Sequence, residues 1–99
     1  MLRMVVPAVL AASVVLPVQA ALPPQYQRLA ELKAILDYPG IPGALRGRPI
    51  DRVEYVAPDR YRVTAGSCAL DVAIVSRPSP PGLVGPRQFD VAPGATTCQ

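Results

Sequence analysis

The chain contains no histidine, no tryptophan, a single phenylalanine (Phe89), a single lysine (Lys33) and only two cysteines. Each shortage excludes something. Without histidine there is no Ser-His-Asp or Cys-His pair, and a cysteine nucleophile would have no imidazole to hold it as thiolate. Two cysteines could close a tetrahedral zinc site only by recruiting two carboxylates, an uncommon ligand set, so no metal and no cofactor is expected. Aromatic stacking of bases or sugars has little to stand on beyond Tyr38 and Tyr55. The stretch "GIPGALRG" holds three glycines but does not join a strand to a helix, as a phosphate-cradling loop must. The acids Glu31, Asp37, Asp51, Glu54, Asp59, Asp71 and Asp90 are isolated in sequence. On these grounds the chain is not expected to be an enzyme.

What is present begins with an address. "MLRMVVPAVLAASVVLPVQA" carries one charge, Arg3, then an apolar run from Met4 to Leu16, then Val18-Gln19-Ala20. Small residues three places and one place before a junction are what a secretory signal peptidase accepts. The expected signal peptide is residues 1–20, cleaved after Ala20. The competing reading, a membrane anchor, needs an apolar span of about 20 residues, and this run is shorter and contains Pro7. No stable membrane anchor is expected after cleavage, and no cysteine follows the junction to carry a lipid. The protein is expected to be exported, periplasmic or secreted. Residues 21–99 form the expected single small domain, with nine basic and seven acidic residues. A net +2 scattered over that length is no nucleic-acid footprint, which wants basic residues clustered on one face.

Domains below about 70–80 residues rarely draw enough stability from a core alone and usually carry a staple. In an oxidising compartment Cys68 and Cys98 are expected to pair. The bridge closes a loop of about 31 residues, for which loop-closure entropy gives roughly 3.7 kcal/mol.

Hydrophobic periodicity sets the plan of the domain. Tyr26, Leu29, Leu32, Ile35 and Leu36 recur at three- and four-residue intervals, which predicts a helix over 24–37 with that stripe facing the core and Arg28, Glu31 and Lys33 pointing away. Pro24 suits a first turn and Pro39-Gly40 a stop. The segment 38–49, with three prolines and three glycines, reads as a loop. From residue 50 the period becomes two. Strands are expected over 50–56, from Tyr61 to Ala65, from Cys68 to Val75 and over 87–92, the last with Phe89 and Val91 inward and followed by a tail to Cys98. The expected fold is α+β: one N-terminal helix packed on a three-stranded antiparallel meander plus a fourth strand.

The turns fix the register. Gly66-Ser67 suits a two-residue type II′ hairpin, which sets Ala65 opposite Cys68, Val63 opposite Leu70 and Arg62 opposite Asp71. A three-residue loop, Ala57-Pro58-Asp59, brings Val53 and Tyr55 to the same face and sets Arg62 opposite Glu54 as well. A surface ion-pair row Glu54–Arg62–Asp71 is therefore expected on the face away from the helix. Carboxylates separated by an arginine suit solvated ion pairs, not an acid/base dyad, which needs unequal burial.

One segment stands apart, "SPPGLVGP". Its plain reading is a linker whose Leu83 folds back onto the sheet edge. Its functional reading is a recognition loop in which Pro80 and Pro81 stiffen the presentation of Leu83 and Val84 to a protein partner. Arg46 and Arg48 are read as solvated. The function expected is that of a small exported non-catalytic binding or accessory protein. The alternative is a proteinaceous inhibitor of a secreted or periplasmic hydrolase that uses the loop 78–86. An exported helix-and-sheet plan with one disulfide is shared by many unrelated proteins, so it assigns no function by itself. Native material alkylated without reduction should show Cys68 and Cys98 unlabelled and joined in one crosslinked peptide, and labelling at both would overturn the compartment argument with the staple.

Overall fold

The computed structural model describes residues 22–82 and 85–99. The expected signal segment 1–20 and the pair Leu83-Val84 lie outside the described residues. Two helices and four strands follow in order: α1 (Pro24–Asp37), α2 (Gly40–Ala44), β1 (Arg52–Ala57), β2 (Arg60–Ala65), β3 (Cys68–Ser76) and β4 (Phe89–Cys98). The strands form one antiparallel sheet in the order β1-β2-β3-β4. The helix-plus-meander fold expected from the sequence is the one observed.

The β2–β3 hairpin is the centre. Ala65 faces Cys68, Val63 faces Leu70, Tyr61 faces Val72 and Arg62 faces Asp71 across the Gly66-Ser67 turn. Gly66 sits at φ +61°, where a side chain is strained, and Asp51 Oδ2 accepts its N–H at 2.7 Å. Alternation then drives Tyr61, Val63, Ala65, Cys68, Leu70, Val72 and Ile74 into one buried layer. In the first hairpin Val53 faces Val63 and Glu54 faces Arg62, the expected register. It is reached differently, however. Ala57 belongs to β1 and pairs with Arg60, a bulge between Tyr55 and Ala57 absorbs one residue, and the turn itself is Pro58-Asp59. Asp59 takes φ +63°, so the hairpin combines a tight turn with a left-handed residue and a bulge, a recurrent way to keep parity.

The fourth strand is longer than its expected span of 87–92. It continues through Pro93 and Gly94 to Cys98 and pairs along the whole of β3, with Cys68 directly opposite Cys98. Proline is tolerated because β4 is an edge strand and its missing N–H faces outward. The register shifts between Leu70 and Val72. A Cβ on Gly94 would come within 3.3 Å of the Asp71 carbonyl oxygen, so the absence of a side chain lets the bulged strand close on its neighbour.

Two helical expectations are corrected. The segment 38–49 is not wholly a loop, because α2 occupies Gly40–Ala44 and places Ile41 and Leu45 in the core, both almost fully buried. Its prolines sit where a helix start accepts them, Pro39 before the first turn and Pro42 within it. The α1 helix has the expected bounds, but its stripe does not face the core. Tyr26, Leu29 and Leu36 are 56%, 52% and 56% exposed, whereas Glu31 and Ile35 are buried. Of the stripe, only Ile35 and Leu32 reach the sheet. The helix is turned so that a carboxylate, not a leucine, meets Tyr61.

Leu45→Ala should destabilise the protein by about 2–5 kcal/mol, the cost of a core cavity, whereas a loop leucine would cost little. Denaturant melts of the two proteins decide between these roles.

Candidate functional site

Glu31 lies on the inner side of α1 at the mouth of the β1–β2 turn. Its Oε1 accepts the Tyr61 hydroxyl at 2.6 Å, and its Oε2 accepts Gln27 Nε2 at 2.7 Å and Arg87 Nη1 at 3.4 Å. Arg87 also grips Asp59, Nη1 to Oδ1 at 2.8 Å and Nη2 to Oδ2 at 3.2 Å, a bidentate arrangement. Two guanidinium–carboxylate contacts therefore join α1, the β1–β2 turn and the end of the β3–β4 connection, and the Tyr61 hydroxyl adds β2 as a fourth segment. Above them Arg28 lies flat on Tyr55, 3.6 Å from the ring centroid, and Tyr55 meets Tyr61 edge to face at 5.6 Å.

The electrostatics of the cluster follow from burial. Tyr61 has its phenol pushed well above its ordinary value of about 10, first by desolvation, then by its hydrogen bond to the Glu31 carboxylate and by that group's negative charge. A phenol so held is a donor at neutral pH and a poor base. Arg87 has its pKa raised, chiefly by its hydrogen bonds to Asp59, which outweigh the desolvation that works against its charge. The Glu31 carboxylate is answered by three donors and the Arg87 guanidinium by two carboxylates. A cleft of about 220 Å³ opens beside it, lined by Pro24, Gln27, Arg28, Tyr55, Asp59 and Arg87 among others. That is smaller than the roughly 300–1,000 Å³ usual for small-molecule sites.

The other expected positions are dispersed. Pro80 and Pro81 are exposed on the β3–β4 connection, whose base is pinched by Arg77 N–H to the Gln88 carbonyl at 2.9 Å and by Arg87 Nε to Ser76 Oγ at 2.9 Å. Leu83 and Val84 lie outside the described residues. Glu54 and Asp71 flank Arg62 in the register, and Arg62 Nε is 3.7 Å from Asp71, but the Glu54 carboxylate turns along its own strand to Arg52 at 3.6 Å. Exposed pairs of this kind contribute about 0–1 kcal/mol. Cys68 and Cys98 form the disulfide, and no cysteine is free. Among the described residues there is no group of three metal-binding side chains, and no helix is long and apolar enough to cross a membrane.

Sequence reasoning missed the Glu31 cluster because it placed Glu31 on the solvent side of α1. The available signal was Gln27 and Glu31 four apart on one helix face, with Tyr61 among the inward positions of β2. It also missed Arg48, which lies against the disulfide. The chain matches no family model, no curated protein and no solved structure.

Tyr61→Phe should destabilise the fold by about 1–3 kcal/mol, because it leaves a buried carboxylate short of a donor. The wild type should also lose stability as pH rises above about 10. There the unfolded phenol ionises while the folded one, with its raised value, stays protonated. A stability profile in Tyr61→Phe that falls as steeply as the wild type's would refute that assignment.

Proposed function

We propose that this chain is a small exported, non-catalytic protein that binds a protein partner. The observation that supports this reading is the outward stripe of α1. Tyr26, Leu29 and Leu36 each keep more than half of their surface in water while α2 and one sheet face fill the core. Three large apolar side chains left in water along one helix suit association with a partner. A helix presenting anchors at such spacing suits an apolar groove on a partner protein. The disulfide fits an oxidising compartment, and the leader sequence agrees with it.

A second reading, inhibition of a secreted or periplasmic hydrolase through residues 78–86, draws support from the pinched base of that connection. A loop held at both ends loses less entropy on binding. The two readings use different segments of the chain and separate cleanly.

Leu29→Glu with Leu36→Glu should leave folding stability within about 0.5 kcal/mol, as for exposed positions. The double variant should lose the partner that the wild type captures from the exported fraction and binds again after purification. An unchanged captured set overturns the helix reading. Stoichiometric slowing of one hydrolase in a panel, retained by the double variant, would establish the inhibitor instead.

A further inference from the structure

The Cys68–Cys98 bridge is asymmetric. Cys68 faces the core and is completely buried, whereas Cys98 is partly exposed on the edge strand β4, one residue from the end of the described chain. Cys68 presents no surface to solvent, so of the two bridged residues only Cys98 is open to a nucleophile arriving from outside. Thiol–disulfide exchange requires attack on one sulfur and departure of the other as thiolate, and it is faster when the departing thiolate is stabilised. The departing sulfur here is Cys68, and a cation is in contact with it. Arg48 Nη1 lies against Cys68 Sγ, nearer to it than to Cys98 Sγ at 3.9 Å. Arg48 has no carboxylate within ion-pair distance among the described residues, so its charge is not already spent. Its side chain is laid across the β2–β3 turn, where a Cβ on Gly66 would meet Arg48 Cδ at 3.5 Å.

We propose that this bridge is a thiol-exchange site with a fixed polarity, in which Cys98 is the attacked sulfur, Cys68 the leaving group and Arg48 the residue that stabilises the leaving thiolate. The reaction partner is a dithiol reductant. One thiolate of the dithiol bonds to Cys98 Sγ, the Cys68–Cys98 bond breaks, and its electron pair departs on Cys68 beside Arg48. The second thiolate of the dithiol attacks the first thiol's sulfur in the mixed disulfide and releases Cys98 as thiolate. The dithiol leaves as a disulfide, two electrons have passed to the protein, and its two protons go to the cysteines or to solvent. The terminal stretch of β4 is then held to β3 only by its ladder, so the oxidation state sets how firmly the last strand is closed. This inference does not depend on the partner-binding reading.

The test uses the purified oxidised protein. Brief exposure to reduced glutathione, an acid quench and peptide mapping should place the glutathione adduct on Cys98, and an adduct on Cys68 would overturn the polarity. With dithiothreitol at fixed pH, Arg48→Ala should be reduced roughly five-fold more slowly than wild type, as a cation is withdrawn from the leaving thiolate. Arg48→Lys should stay close to the wild-type rate. If Arg48 only shields the bridge, Arg48→Ala will be reduced faster, and that outcome, like three equal rates, defeats the proposal.

Discussion

Tyr61, Val63 and Ala65 on β2 and Cys68, Leu70, Val72 and Ile74 on β3 all point to one side of the sheet, and that side is the dry one among the described residues. Because side chains alternate with a period of two, a slip of one residue in either hairpin would exchange this layer for Arg62, Asp71 and their neighbours. The rest of the molecule adapts to that parity. A bulge in β1 and the left-handed Asp59 preserve it at one turn, Gly66 preserves it at the other, and a second bulge at Gly94 lets β4 pass Asp71. Irregularities that look like defects are the means by which a chain rich in proline and glycine keeps a regular sheet.

The layer has one polar member, the Tyr61 hydroxyl, and it dictates how α1 lies. A buried hydroxyl without a partner costs a few kcal/mol, and a buried carboxylate without one costs more. Glu31 and Tyr61 cancel each other's penalty, and Gln27 and Arg87 complete the set. Rotating α1 to bury Leu29 and Leu36 would gain apolar contact but would strand the phenol and draw Glu31 away from Arg87. The polar requirement wins because it is steeper. The leucines stay outside, and the surface that supports the partner-binding reading is a by-product of satisfying the interior.

Arginine does the connecting work in this protein. Arg87 ties the far end of the β3–β4 connection to the first turn and the first helix, Arg28 covers Tyr55, and Arg48 lies against the disulfide. Guanidinium groups suit these roles because they stay charged, bond in two directions and stack on flat rings. The arginine content, which in sequence offers no clustered patch, is distributed at the joints between elements.

The sequence by itself determined α1's bounds, the β2–β3 hairpin, its register and the inward positions of β2 and β3, because these follow from local periodicity and turn chemistry. The cysteine pairing followed from arithmetic, since two cysteines and no histidine leave few other states in an oxidising compartment. Only the tertiary structure decided the rotation of α1, since periodicity identifies an apolar stripe but not whether a buried hydroxyl competes for the same contact. The helicity of Gly40–Ala44 was hidden for a related reason: five residues rich in glycine and proline form a turn of helix only because the core has places for Ile41 and Leu45. The direction of the Glu54 carboxylate was likewise open, because Arg52 on its own strand and Arg62 across from it are equivalent in pattern and differ only in side-chain geometry.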